Sequence, residues 1–587
     1  MNYIKEICGL LNNSAKKIGI EENLNITFSK RDDSIFQCND AFSLAKKYGK
    51  NPLVLAEEIV SGIDENENYT FSVAKPAFIN VNLTQKGMVA LASYMHEDDR
   101  CGLEKHEKSQ KVVLDYGGAN VAKALHVGHL RSPIIGESLK RLYLLMGDEV
   151  ISDVHLGDWG LQMGLTELQL YTDGVLDYYF TGKGEEPQIT LELLNEAYPK
   201  ASARKNTDEE FKKQADEWTL KIRQKQEPYY SIYKKIREVS VSQISKHYSE
   251  LGAKFDLWYG ESDADCYIEK VLNLIKDKGL ARVSDGAVVV DVAQEGENIP
   301  IPKKSEDEVQ RYKNPMPPAI LQKYNGWALY ATTDIATIYM RNRDYAGLDR
   351  IEYIVDERQK NHFTQVFRVC KKAGISPEGQ QLIHIGYGTM NGHDGKPFKT
   401  RSGDTIKLED IINILINSAS KKLAENGVEV TRDLALKIGV GAMKFGDLIN
   451  TVNKDYVFDI DKFVSFEGKT GPYLQYTVCR INSILNKLEG EKEGEILLES
   501  DEEKNILKEI IKLNSAYEIC YKEKSLNTLC ANLYDLASAF STFYNNHSVI
   551  NEKDAKIKSG YIALLKLVRK AMLQALDVLA IEVPAKM

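Results

Sequence analysis

Two histidines flank a glycine in the run His126-Val127-Gly128-His129, between a turn signal and the start of a helical pattern. Imidazoles so spaced at a helix N-terminus can both face whatever sits there, and the unpaired N–H groups and partial positive charge of that terminus suit phosphate. Gly128 lets a ligand approach the backbone. The two rings can donate hydrogen bonds to phosphate oxygens as charge develops. The bland alternative is one surface histidine and one capping histidine. A second group lies far downstream, between Gly392 and Gly403, where Lys396, Lys399 and Arg401 concentrate positive charge in a glycine-rich stretch. Such a loop can close over a polyphosphate and neutralise its transition state; a solvated basic turn is its alternative. No GxxxxGK[ST] run occurs, so a nucleotide site built from these pieces is not a P-loop.

The elements that must position these groups are legible around them. KVVLDY (111–116) is a short β-rich run, GGAN is a turn signal, and LRSPIIGESLKRLYLLMG has helical spacing through Leu130, Ile134, Leu142 and Leu145. Pro133 requires that helix to begin within about a turn of His129. EVISDVHLGDWG supplies the next strand and loop, and strand, loop, helix, strand opens a parallel α/β sheet. Residues 167–260 read as a helical insertion rich in Glu, Lys and Tyr, followed by the short strands LARVS and AVVVDVA. The alternation then resumes with TTDIATIYMR as a helix, IEYIV as a strand, HFTQVFRVCKKAG as a helix and LIHIGYG as a strand that runs into the basic loop. A doubly wound sheet with a large insertion would bring both motifs to one carboxyl edge.

Upstream, the amphipathic helical patterns Tyr3–Ile18 and Asp40–Ile63 flank the strand-like runs NITFSK, FSVAK and AFINVNLT. In the last, Phe78, Asn80 and Asn82 share one face, and Ile79, Val81 and Leu83 the other. From about Gly439 to Met587 the pattern is nearly all helical. The expected fold is therefore multidomain α/β + α. It comprises an N-terminal α+β domain (1–108), a Rossmann-like parallel-sheet domain (109–438) with an insertion over about 167–310, and a C-terminal helical bundle (439–587).

Composition narrows the class. The chain has 587 residues, 43% apolar and 27% charged, which is ordinary globular usage. No apolar run approaches the ~18 residues of a membrane helix. The N-terminus lacks an apolar signal region and reads as an amphipathic helix, so a cytoplasmic protein with no membrane association is expected. The eight cysteines form no CxxC, which argues against zinc and fits buried thiols in a reducing compartment. A net charge of −9 excludes a globally basic, sequence-blind nucleic-acid binder but not a local binding patch.

The run LDYGGANVAKALHVGHLRSPIIGESLKRL resembles the signature of class I aminoacyl-tRNA synthetases. Its HIGH-like motif is Ala119-Asn120-Val121-Ala122-Lys123-Ala124-Leu125-His126-Val127-Gly128-His129. HLGDWGLQMG, YATTDIATIYMR, YIVDERQKNHFTQVF, DGKPFKTRSGDTIKL, VSFEGKTGPYLQY and YDLASAFSTFYNN are similar to arginyl-tRNA synthetases in particular. The resemblance is continuous over roughly residues 110–587 and weaker over 1–108. There are two departures. Gly117-Gly118-Ala119 stands where the family usually has Ser-Ala-Pro or Ser-Ser-Pro, and the second class I motif is degenerate as PFKTR. In arginyl enzymes of that kind a lysine upstream of the HIGH motif is held to compensate, and Lys123 matches it.

The resemblance implies that ATP and L-arginine give arginyl-adenylate and pyrophosphate, and that the arginyl group then passes to the terminal adenosine of its tRNA. Mg²⁺ would arrive with ATP as substrate, with no permanently bound metal or organic cofactor. His126, Gly128 and His129 would hold the nucleotide. Lys123 and Lys399 would neutralise departing pyrophosphate, with Lys396 and Arg401 beside them. A planar guanidinium with five donors demands fixed acceptors, ideally a carboxylate. The family-matched candidates are Asp115, Asn120, Tyr330, Asp334 and Gln359. Tyr330 and Asp334 are spaced to share a helical face, although Asp334 could equally cap a helix. Tyr473, Tyr476 and Tyr544, with Phe540 and Phe543 nearby, could stack anticodon bases; Phe540 is better read as core. Phe78 and Asn80 are the candidates for the tRNA elbow. A monomer is expected. Two rivals remain at this point: a different HxGH nucleotidyltransferase, and a tRNA-binding paralogue that cannot activate. The first would need neither the helical C-terminal third nor the YATTDIA and DERQ motifs. Against the second stand the intact HVGH, Lys123 and all five pocket candidates.

Overall fold

A computed structural model of the chain describes residues 3–29, 34–294, 297, 299–300, 303, 312–313, 316–323, 329–396 and 406–587. Contacts divide the chain into two units. One comprises Glu107–Ser418 with Asn450–Ile460, the other Met1–His106 with Ala419–Ile449 and Asp461–Met587.

In the first unit, four strands among the described residues form a parallel sheet in the order Gln381–Tyr387, Arg350–Asp356, Lys111–Asp115, Glu149–Asp153. Strands covered on both faces read as continuous apolar runs, and Val112, Val113 and Leu114 are accordingly all fully buried. The register sets Asp115 beside Asp153 and Tyr353 at the carboxyl edge. The helix Arg131–Met146 makes the first crossover, preceded by a 3₁₀ turn at Val127–His129. Pro133 thus falls in the first turn, where its missing N–H costs nothing. The helices Tyr330–Asp344 and Lys360–Ala373 complete the layer.

The insertion contributes helices Leu161–Thr172, Leu191–Arg204, Glu209–Arg223 and Tyr229–Glu250. Leu165 and Leu168 pack there on Ala201, Phe211, Ala215 and Trp218. Strands Ala281–Ser284, Ala287–Val290 and Ala319–Gln322 follow as an antiparallel sheet.

One buried group in the insertion conflicts with its surroundings. Glu167 is fully buried, and neither carboxylate oxygen finds a partner among the described residues. Burial raises its carboxyl well above the usual range. A group raised in the folded state favours folding below its unfolded value, and that contribution is lost as pH climbs through the folded one. We therefore expect Glu167→Gln, neutral at every pH, to melt close to wild type at pH 5 and to gain on it at pH 8.5. Equal melting shifts at both pH values would refute this.

In the second unit, the helix Tyr3–Lys17 lies with an antiparallel sheet ordered Thr27–Phe28, Phe36–Cys38, Phe78–Leu83, Tyr69–Ala74. The expected alternation holds on one face: Ile79 and Val81 are fully buried and Leu83 nearly so. The Asp40–Ile63 pattern is two helices rather than one, Ala41–Tyr48 and Pro52–Ser61. Gly49 adopts φ 66°, and Asn51 caps Leu53 and Val54 ahead of Pro52, a stop and a start that outweigh the continuing apolar period. The helical stretch precedes Gly439: Leu408–Glu425 enters this unit from Ala419, and Arg432–Leu448 follows. It continues through Gly471–Lys487, Asp501–Glu523, Asn527–Asn546 and Ala555–Val578. Between them, residues 450–460 belong to the first unit, where Tyr456–Val457 pairs in parallel with Met390–Asn391. Among the described residues no helix is long and apolar enough to cross a membrane.

Candidate active site

The histidine pair is held by a reciprocal cap. The Nδ1 of His126 accepts from the Gly128 N–H at 3.0 Å, and the Nδ1 of His129 accepts from the His126 N–H at 3.1 Å. An imidazole nitrogen that accepts is unprotonated, so in the neutral form each ring carries its proton on Nε2. The ring centroids lie 3.9 Å apart. Burial first, and then the neighbouring charge of Lys123 for one and of His126 for the other, hold both below the ordinary imidazole value. At neutral pH the site therefore presents two uncharged Nε2–H donors.

Both bases of the basic loop are tied to this segment. On the far side, Val127 N–H donates to the Ile406 carbonyl at 3.0 Å and Leu408 N–H to the Leu125 carbonyl at 2.9 Å. On the near side, buried Arg131 donates from Nη1 to the carbonyls of Gly388 (2.7 Å) and Lys454 (3.2 Å). Its guanidinium lies 5.1 Å from the Tyr456 ring centroid. Lys396 is exposed at the end of a turn closed by Gly392 N–H to its carbonyl. Lys399 and Arg401 lie outside the described residues.

A polar cavity of about 310 Å³ opens beside the motif, lined among others by Asn120, Lys123, Trp159, Glu261 and Tyr330. Asn120 is seated by parallel pairing with Gly157, where a Cβ would come within 2.4 Å of the Asn120 Oδ1. Tyr330 is the first residue of its helix and 72% exposed. Asp334, one turn on, is not the cap, because Leu329 holds that position. Its Oδ2 meets His362 Nε2 at 2.5 Å. Glu261 was not singled out by the sequence. Burial pushes its carboxyl up to about 8, and the charges of Asp334 and Asp158 add to the rise. Beside Lys123 and Lys205 in that lining, Glu261 offers a carboxylate acceptor to a cationic ligand.

Asp115 is placed differently. It is 4% exposed, and its Oδ2 accepts from Arg341 Nη2 at 2.7 Å, while the same nitrogen reaches Asp153 Oδ2 at 2.6 Å. Burial raises its carboxyl, and the Arg341 charge opposes the rise. Asp115, Asp153 and His155 have metal-like spacing, with ligand atoms all within 4.8 Å. The Arg341 guanidinium already bridges both carboxylates. Gln359 is exposed at the carboxyl end of the strand Arg350–Asp356, in the 3₁₀ turn Glu357–Gln359. Arg341 lies two helical turns beyond Asp334 on one face, a sequence signal that pointed inward. Glu261, beside Asp263 in YGESD, carried no such signal.

The tRNA candidates divide by exposure. Tyr476 is 41% exposed, and half-buried Tyr544 lies under the Arg480 guanidinium at 4.2 Å. Tyr473 pairs its hydroxyl with Ser541 Oγ at 3.1 Å. Phe540 and Phe543 are fully buried. In the other block, Phe78 is half-buried with its edge against Phe42, and Asn80 is 4% exposed and accepts from Gln37 Nε2 at 2.9 Å.

Comparison with known proteins bears on the whole chain. Residues 91–460 match the family described as tRNA synthetases class I (R), catalytic domain, residues 474–587 the DALR anticodon binding domain, and residues 4–83 the arginyl tRNA synthetase N terminal domain. The chain is 39% identical to an arginine–tRNA ligase of Alkaliphilus oremlandii, covering 100% of this chain and 99% of that one. It is also 39% identical to one of Agathobacter rectalis, over 96% of each. The crystal structure of arginyl-tRNA synthetase from Plasmodium falciparum superposes with a TM-score of 0.78 at 25% identity, covering 100% of this chain and 99% of that one. With the capped histidine pair, a polar pocket beside it and a helical C-terminal third all present in one chain, the protein belongs to the arginyl-tRNA synthetase family.

Proposed function

We propose that this chain joins L-arginine to its tRNA at the expense of ATP, and that the edge around His126, His129 and the polar cavity carries the chemistry. Arginine and ATP form arginyl-adenylate, and the arginyl group then passes to the tRNA. The observation that carries the site assignment is that the cavity holding Asn120, Glu261 and Tyr330 shares Lys123 with a neighbouring cavity that holds the capped His126. The arginine carboxylate attacks the α-phosphate in line, so positioning and electrostatics supply most of the acceleration. His126, His129 and Gly128 hold the nucleotide, and Lys123, with Lys396, Lys399 and Arg401, faces the leaving pyrophosphate. Mg²⁺ enters with ATP. Glu261 and Asp334 receive the guanidinium, with Tyr330, Asn120 and Gln359 around it. Asp115 serves as a counter-ion of Arg341. Tyr476 and Tyr544 are the anticodon candidates that their exposure favours, and Phe78 that for the elbow. The division of labour follows residues 1–108, 109–438 and 439–587. All eight cysteines are free, which fits a cytoplasmic protein, and light scattering at 66.2 kDa would check its action as a monomer.

Arginine-dependent pyrophosphate exchange in the presence of tRNA tests the assignment. Asp334→Asn is expected to raise the KM for arginine by about 10- to 100-fold, as loss of a charged hydrogen-bond partner does, and to leave that for ATP within about twofold. An unchanged arginine KM would remove Asp334 from the pocket. The acid at Glu261 adds a pH signature. With its carboxyl raised to about 8, the empty pocket is largely protonated at pH 7. A guanidinium favours the carboxylate, so arginine binding releases a proton and tightens as pH rises. The arginine KM should fall by about tenfold between pH 6.5 and 8.5, and Glu261→Gln should flatten the slope. A slope that persists in Glu261→Gln assigns the titration elsewhere.

A further inference from the structure

The insertion does more than fill space: its helices hold the residues on either side of Lys123. Val121 gives its carbonyl to the Gln162 amide. Ala122 N–H donates to Ser240 Oγ at 3.1 Å, and Ala124 N–H donates to Asn195 Oδ1 at 2.8 Å. Ala122 has φ 61°, a left-handed conformation that alanine adopts only when its surroundings impose it. One helical turn from Asn195, on the same helix Leu191–Arg204, the half-buried Tyr198 ring receives the Lys123 ammonium at 4.3 Å from its centroid. Lys123 lines the 310 Å³ cavity with Asn120, Glu261 and Tyr330, and also a neighbouring cavity of about 500 Å³ that holds His126 and Lys407. Its ammonium therefore stands at the partition between the amino-acid side and the histidine side. A carboxylate partner would cancel the charge that departing phosphate needs. An aromatic face holds an ammonium in place while leaving its charge and its N–H donors available.

We propose that Tyr198 is a positioning residue for Lys123: the π-face of the insertion helix fixes the ammonium where the amino-acid carboxylate meets the nucleotide. This rests on the assignment of Lys123 to the phosphates. It follows that the aromatic face matters and the hydroxyl does not.

The test is tRNA-supported pyrophosphate exchange with Tyr198→Phe, Tyr198→Leu and Tyr198→Met, each also made in a Lys123→Met background. Tyr198→Phe should stay within about twofold of wild type. Tyr198→Leu and Tyr198→Met should lower kcat by about 5- to 30-fold, the range of a desolvated cation–π contact, with thermal midpoints unchanged. In the Lys123→Met background they should cause no further loss. Wild-type rates in both aliphatic variants would overturn the proposal. So would a Phe variant as slow as Leu, or the same fold-loss with and without Lys123. Exchange at the wild-type rate in Lys123→Met itself would withdraw the assignment of Lys123 and the proposal with it. Absence of arginine-dependent exchange in the wild-type protein would instead refute the activity.

Discussion

His129→Ala is expected to slow arginine-dependent pyrophosphate exchange by about 10²- to 10³-fold, the usual cost of losing one preorganised donor to developing charge, with His126→Ala close behind. The expectation rests on the reciprocal cap. Each ring is fixed as a neutral Nε2–H donor by a backbone N–H on its Nδ1, so no reorganisation is needed when phosphate charge builds. Because burial holds both rings below the ordinary imidazole value, His129 at about 3, neither should become charged between pH 7.5 and 9, and the histidines should impose no pH step on kcat in that window. The sign follows from the depressed values: protonation would come only at lower pH, and with it loss of the cap, since a protonated Nδ1 cannot accept. Each substitution also removes one cap hydrogen bond, at a cost of ~1 kcal/mol, too little to unfold the unit, so circular dichroism should be unchanged. Near-normal exchange by both variants would show that the pair only caps the helix.

The parallel sheet was readable because its strands are covered on both faces, so Val112, Val113 and Leu114 form one apolar run next to a turn signal. The histidine pair was readable as a motif, but its reciprocal cap was not, since that depends on backbone angles. The pairing of Asp115 with Arg341 joins residues 226 apart in the chain, and that of Asp153 with Arg341 residues 188 apart. No local period reports such a partner, so the sequence offers the strand-end carboxylate as a ligand for substrate guanidinium and is silent on Arg341. Glu261 enters the pocket from the far end of the insertion, where one acid among many has no distinguishing spacing. The break at Gly49–Pro52 was written locally but overlain by an apolar period that runs through it. Tyr456–Val457 is a two-residue strand inside a polar stretch, too short for alternation to register. Sequence pattern reports burial along one element well; it does not report which distant element supplies the other half of a polar pair.

Pyrophosphate exchange with arginine and ATP alone is expected to be negligible, and to appear when tRNA is added. Resemblance to arginyl enzymes, which generally activate arginine only with tRNA bound, points that way, and the chain path supplies a physical route. The chain leaves the helical unit after Ile449, crosses the catalytic unit over residues 450–460 and returns at Asp461. In that passage Tyr456–Val457 pairs with Met390–Asn391, at the base of the basic loop, and the Lys454 carbonyl shares Arg131 with Gly388. Arg131 opens the helix that follows His129. Residues 450–460 thus give the helices at either end of this passage a covalent connection to the loop base and to the partners of Arg131. The second motif is degenerate as PFKTR, so its cations do not stand at the spacing of the usual motif. Remote binding energy would complete the site, provided tRNA binds the completed arrangement better than the incomplete one. To be silent without tRNA, the enzyme must hold the complete state at about 1% or less, so tRNA must favour that state by ~3 kcal/mol or more to make it the majority. A chain ending near Asn450 loses this passage and the helices beyond it, and should show no exchange even with tRNA, its folding checked by arginine binding. Full exchange by the intact protein without tRNA would show a preassembled site, and the passage through residues 450–460 would then be a structural tether only.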